Sequence, residues 1–418
     1  MSQHTTAEAR SATIRTWLLA LGMFAIGTDL FIVSGLLPAL GHDLGLSMSA
    51  AGQTVTVFAI TYAVASPILT GLTARLDRRL LLGAVLAVFA AGNVLSAVAP
   101  DYSILLVSRF VAGLGAALYA VTASGTAARI TAPERRGRAL AIVYAGMTSA
   151  IALGVPIGDA IGNALSWRWA FGFVAALAVA TGIGLVVSLP ALPGTTGIGL
   201  RERVSAIRIR RAPTALTITM LWVVGTFVTY TYLGSIFDSV THVALGDRPW
   251  LLLLFGIGSF AGVLGGGRLA DRVNPTAGLA CSIGLLILVL AALGIAFRST
   301  PGAAIGVAVW GLVHWVSFPL IQHRLIGIGG KHADMLLALN NSAVYLGQTI
   351  AAVVGGLLTD LGALAALPFA GAGFELIALV LLAVSAGSRP RSADPIDAHR
   401  QSMAERGGSA QQLSEDRT

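Results

Sequence analysis

Apolar runs of about twenty residues or more recur along nearly the whole chain, separated by short polar breaks. Their limits are 17–40, 50–74, 79–99, 103–129, 138–162, 168–189, 213–237, 249–270, 276–297, 301–323, 333–359 and 363–386. A helix rises about 1.5 Å per residue, so each run is long enough to cross a hydrocarbon core of roughly 30 Å. The pattern predicts an all-α integral membrane protein with twelve transmembrane helices and both termini on one side. Outside the runs, residues 1–16 and 387–418 are polar and are expected to be disordered tails. The polar stretch 190–212 follows six runs and precedes six more, so it divides residues 17–189 from residues 213–386 as a basic linker between two helix bundles.

The two halves read as repeats. Gly71-Leu-Thr-Ala-Arg-Leu-Asp-Arg-Arg79 follows the second run, and Gly267-Arg-Leu-Ala-Asp-Arg-Val273 follows the eighth. Paired six-helix halves with a site near the bilayer midplane between them form a recurrent transporter architecture.

Composition agrees: 56% of residues are hydrophobic, 11% are charged and 50 are glycine. Positive charge orients the chain. With the N-terminus in the cytoplasm, all but four of the 27 basic residues fall in cytoplasmic segments; Arg168, Arg248 and Arg298 lie outside, and Arg109 lies within a helix. That asymmetry follows the positive-inside rule and places a multi-pass protein in the cytoplasmic membrane with both termini cytoplasmic. The net charge of +8 is therefore topological, and nucleic acid is not expected as a partner. Basic residues of the linker also suit contact with anionic lipid on the inner leaflet, although a positive-inside loop and nothing more is the plainer reading. A single cysteine, Cys281, excludes an internal disulfide and a multi-cysteine metal site. The first apolar run is too long for a cleaved signal and is read as a retained helix.

Four stretches carry a family resemblance. GRLADRV at 267–273 resembles the loop signature of the major facilitator superfamily, and LLVSRFVAGLGAA at 105–117 is similar to its helix 4 arginine motif. The stretch from Asp29 to Pro38 resembles the helix 1 motif of drug:proton antiporters, and GMTSAIALGVPIGDAIG at 146–162 their helix 5 motif. The resemblance covers about residues 15–386. It implies a twelve-helix, alternating-access fold and export of small molecules in exchange for protons.

Asp29 is the first candidate for chemistry, because a charged Asp at the centre of a membrane helix costs about 2.5–3.5 kcal/mol on insertion scales. Counting about 1.5 Å per residue places it roughly 18 Å from the cytoplasmic side, at nearly the level of Arg109. Asp29 is expected to carry the coupling proton and Arg109 to modulate its proton affinity; a static pair that only packs two helices is the plain alternative. Asn93, Tyr119, Tyr144, Tyr230, Tyr232, Trp310, His314, Asn340, Asn341, Tyr345, Gln348 and Glu375 are expected to line a mostly apolar substrate cavity, with Glu375 as a site for a cationic group or a second proton. Asp159 is expected to face a wet outer vestibule.

Gly154, Gly158 and Gly162 recur every four residues, as do Gly258, Gly262 and Gly266, which permits close helix approach. Pro156 favours a kink beside the first set. The expected conformational gate comprises Asp77, Arg78, Arg79, Gly154, Pro156, Gly158, Gly267, Asp271 and Arg272, with cytoplasmic ion pairs among Asp77, Asp271, Arg272, Glu134, Arg135 and Arg136.

No GxxxxGK[ST] loop exists, so an ion gradient is the expected energy source. No cofactor, metal or catalytic residue is expected; His323 and His332 lack metal-ligand spacing. The leading expectation is a monomeric exporter whose partners are a small-molecule substrate, protons and the lipid bilayer. A sugar, nucleoside or other metabolite carrier of either direction is the alternative. An integral-membrane enzyme or a non-transporting sensor is remote.

Overall fold

The computed structural model describes residues 2–132, 135–194, 208–209 and 211–387. Glu134, most of the linker and the segment 388–418 lie outside the described residues. Backbone groups in lipid must bond within their own segment, which leaves helices as the economical solution for runs this apolar. Twelve helices long and apolar enough to span a membrane are present among the described residues. They are α1 (Ser2–Leu44), α2 (Met48–Leu72), α3 (Arg78–Ala97), α4 (Tyr102–Ile130), α5 (Arg136–Ala164) and α6 (Trp167–Ser188) in the first half. The second half has α7 (Ala212–Ser239), α8 (Arg248–Ala270), α9 (Pro275–Ala296), α10 (Thr300–Gly329), α11 (Ala333–Asp360) and α12 (Leu367–Gly387).

The expected spans hold to within a few residues, with two differences. Helix α1 begins at Ser2, so the segment read as a disordered tail is helical, and α10 continues to Gly329. Two helices are irregular. Helix α5 passes through a π-helical turn at Ala150–Gly154, just ahead of Pro156. Proline offers no N–H, and a widened turn absorbs the misfit. Helix α7 breaks between Tyr230 and Leu233.

Packing repeats between the halves. Helix α1 packs on α5 and α6, α2 on α4, and α3 on α4 and α6; α7 packs on α11 and α12, α8 on α10, and α9 on α10 and α12. Across the halves, α2 meets α11 and α5 meets α8, which are the same contact under that exchange. Glycines set the spacing. A Cβ on Gly154, Gly158 or Gly162 would strike Thr28, Ile32 or Leu36 of α1, and one on Gly258, Gly262 or Gly266 would strike backbone of α10.

The ends of α1, α4 and α6 and the linker share one side of the bundle, called here the linker side. Arg15 donates to Ser188 O at 2.8 Å, and Arg129 donates to Pro193 O at 2.7 Å. The loop ion pairs expected of Asp77 and Asp271 are not made among the described residues, where the ion pairs are Asp29–Arg109, Asp43–Arg168 and Asp238–Arg248, and those expected of Glu134 lie outside the described residues. Asp77 instead caps α3, accepting from the backbone N–H groups of Arg79 and Leu80 at 2.9 and 3.1 Å, while its other oxygen accepts from Leu192 N. A short carboxylate at a helix start satisfies donors that no helical carbonyl reaches. Asp77→Ala is expected to cost about 0.5–2 kcal/mol, and Asp77→Asn, which still caps, less; thermal unfolding in detergent checks both.

Candidate functional site

Asp29 and Arg109 meet where the depth count puts them. The Arg109 guanidinium donates to both carboxylate oxygens, Nη1 to Oδ1 at 2.8 Å and Nη2 to Oδ2 at 3.1 Å, and both side chains are buried. Phe58 of α2 and Phe171 of α6 flank the guanidinium, with its carbon 4.7 and 5.3 Å from their ring centroids. A two-point pair among aromatic faces compensates both charges where no water reaches. The pair lies inside the first half, and the next two residues along α1, Leu30 and Phe31, line the cavity between the halves.

That cavity, of about 170 Å³, draws on α1, α2, α4 and α5 from one half and α7, α8, α10 and α11 from the other. Two stacked ring pairs shape it. Tyr62 of α2 stacks on Tyr345 of α11 with centroids 3.6 Å apart, joining the halves, and Trp222 of α7 stacks on His314 of α10 at 4.1 Å and 7°. The His314 Nδ1 is 2.8 Å from the Thr226 hydroxyl. Phe31, Tyr144, Phe227, Trp315 and Phe318 complete the aromatic lining; Asn341, Gln348 and Thr148 add polar groups, and no Asp, Glu, Lys or Arg lines it among the described residues. Along α5, the lining residues Tyr144, Met147 and Thr148 precede the π turn, so the cavity lies toward the linker side.

Opposite the linker side the halves are sealed. Backbone meets backbone where a Cβ on Gly234 of α7 would lie 2.6 Å from Ser34 O, and where one on Gly256 of α8 would lie 2.5 Å from Ile151 O in the π turn. The Tyr232 ring fills the space beside Gly52 of α2 and Gly355 of α11, and its hydroxyl donates to Ala352 O at 2.6 Å.

Of the residues expected in the cavity, Tyr144, His314, Asn341, Tyr345 and Gln348 line it. The others are placed elsewhere. Tyr232 belongs to the seal. Tyr119 ties α4 to α1 through Leu19 O at 3.0 Å, and Asn93 donates to Phe89 O at 3.1 Å within its own helix. Tyr230 and Trp310 join Phe255 in an aromatic cluster, and Asn340 is buried away from the cavity. Glu375 is fully buried against Gly225 of α7, and neither carboxylate oxygen has a hydrogen-bond partner among the described residues. Asp159 faces no vestibule; it is buried in the seal. Sequence reading missed Trp222, Tyr62, Phe31 and Phe227. Tyr62 carried a readable signal, a mid-helix tyrosine like those named.

Comparison with known proteins places this geometry. The sequence model described as Major Facilitator Superfamily matches residues 19–326. The inner membrane transport protein YdhP of Escherichia coli O157:H7 is 33% identical over 380 residues, covering 90% of this chain and 96% of the relative. A chloramphenicol resistance protein of Streptomyces lividans is 36% identical over 281 residues, covering 65% of this chain and 70% of the relative. Among solved structures, a D-xylose-proton symporter superposes with a TM-score of 0.72 at 16% identity, covering 88% of this chain and 96% of that one, which speaks to the fold. Twelve helices in two exchange-related bundles, a cavity between them and a family match over most of the chain agree: this is a transporter, not an enzyme, and it belongs to the Major Facilitator Superfamily.

Proposed function

We propose that the protein exports small amphipathic, drug-like molecules across the inner membrane in exchange for protons, by alternating access, with both termini in the cytoplasm. The observation that carries this reading is the buried Asp29–Arg109 pair, whose acid lies on α1 next to the cavity residues Leu30 and Phe31. A movement of α1 that accommodates substrate also moves Asp29 against Arg109. Once parted from the guanidinium, a lone carboxylate at this depth is costly, and taking up a proton removes the charge. Asp29 then carries the proton and Arg109 discharges it when the pair re-forms. Because the ion pair does not line the cavity, coupling runs through α1 and needs no contact between substrate and Asp29.

The cavity lining supports the substrate class. Stacked aromatic rings with a few neutral polar groups suit flat, uncharged organic molecules; a sugar requires a denser set of hydrogen-bonding partners. The chloramphenicol resistance relative agrees with a drug-like cargo. Gly154, Gly158 and Pro156 beside the π turn serve as the flexing part of the gate, and Asp77, Arg78, Arg79, Gly267, Asp271 and Arg272 as its linker-side turns.

The test is proton flux in proteoliposomes holding wild type or Asp29→Asn, challenged with neutral aromatic drugs, nucleosides and sugars under an imposed pH gradient. The expected result is drug-triggered proton movement that falls at least tenfold in Asp29→Asn. Drug movement without protons in wild type would make the protein a facilitator.

A further inference from the structure

Asp159 of α5 is a buried acid that the coupling scheme leaves unused. Its side chain is shut between the halves. A Cβ on Gly35 of α1 would strike Asp159 Oδ1 and would lie 3.5 Å from Leu252 of α8, so the carboxylate and a second-half side chain crowd one point of the seal. Oδ2 accepts from Asn163 Nδ2 at 3.0 Å, and the same amide reaches Leu245 O of the second half at 3.5 Å. Oδ1 has no hydrogen-bond partner among the described residues, and the side chain is fully buried.

Among the described residues one opposite charge faces it and does not bond it. Helix α1 presents glycine here, α7 presents Tyr230 and α8 presents Arg248. The Arg248 guanidinium is committed to Asp238 and to Val243 O. A charged carboxylate tolerates this position only when the halves part and water reaches it; with the seal shut, burying it charged and half-bonded is strongly unfavourable.

We propose that Asp159 is a second proton-binding site, filled from the side opposite the linker, and that its protonation is what allows the halves to close there. The ligand is a single proton. It adds to the carboxylate from water on that side as the seal forms, and returns to the same side when the seal opens, so it crosses no membrane. Acid on that side thus favours the conformation whose cavity faces the linker side. This rests on alternating access, and not on the identity of the cargo or on proton coupling through Asp29.

The experiment uses the full chain in nanodiscs, with Cys281→Ser to remove the exposed native thiol and spin labels at Leu165→Cys and Leu361→Cys, exposed positions near the sealed ends of α5 and α11. Wild type is expected to shift from long to short distances as pH falls, by up to tenfold in the open-to-closed ratio per pH unit, the limit for one proton. Asp159→Asn and Asp159→Ser, which cannot ionise, are expected to stay at the short distance throughout, and Asp29→Asn to keep the shift. A wild type indifferent to pH overturns the proposal. So does a full shift that survives in either Asp159 variant.

Discussion

Arg109→Leu is expected to destabilise the folded protein by about 3–5 kcal/mol, the usual consequence of removing one member of a buried ion pair. Leucine preserves the contact with Phe58 and Phe171 but leaves Asp29 with no donor where it has two. The loss is smaller if Asp29 takes up a proton, and that escape itself reports the role proposed for it. The double variant Asp29→Asn with Arg109→Leu removes the stranded carboxylate, so it should be more stable than Arg109→Leu alone. Thermal unfolding of the wild type, both single variants and the double variant closes the cycle. A coupling free energy of about 1–3 kcal/mol is expected. Strict additivity would mean that the two side chains stabilise the bundle independently, and the pair would lose its standing as a switch. Proton-coupled transport should fail in all three variants.

The pair was legible in the sequence because charge inside an apolar run is rare and because helix rise converts residue number into depth. Asp29 and Arg109 lie 80 positions apart, yet counting alone put them at one level. The glycine rows of α5 and α8 were legible for a similar reason: a four-residue repeat marks one helix face, and both rows meet backbone or side chains of a neighbouring helix. Rotation about the helix axis was not legible. In a soluble protein, apolar periodicity tells the inside from the outside; in lipid both faces are apolar, and the pattern is silent. Tyr119 and Tyr144 look alike in sequence, but one is locked between α4 and α1 while the other lines the cavity. Glu375 and Asp159 failed the same way, each expected at a wet surface and found fully buried. Asp77 was misread for want of attention to position, since an acid just ahead of a helix is more economically used as a cap than as half of an exposed ion pair.

Gly256→Val should slow transport at least tenfold without abolishing folding. A side chain at this position would project into the π turn of α5, within 2.8 Å of Ala152 N and 2.5 Å of Ile151 O. Those are backbone atoms, and they cannot rotate aside as a side chain would. Overpacking of this kind typically costs about 1–3 kcal/mol. The strain falls on the contact between the halves, so parting them relieves it, whereas unfolding either half is not required. The variant is therefore expected to populate the conformation open opposite the linker and to lose at least tenfold in the initial rate of drug movement into or out of liposomes, which corresponds to about 1.4 kcal/mol in the barrier. Gly172→Val is the control, because a Cβ there meets nothing within 4 Å; its rate should stay within twofold of wild type. Wild-type transport by Gly256→Val would show that α5 and α8 need not close on one another during the cycle, and the seal would then have to be assigned to Tyr232 and the α1–α7 contact alone.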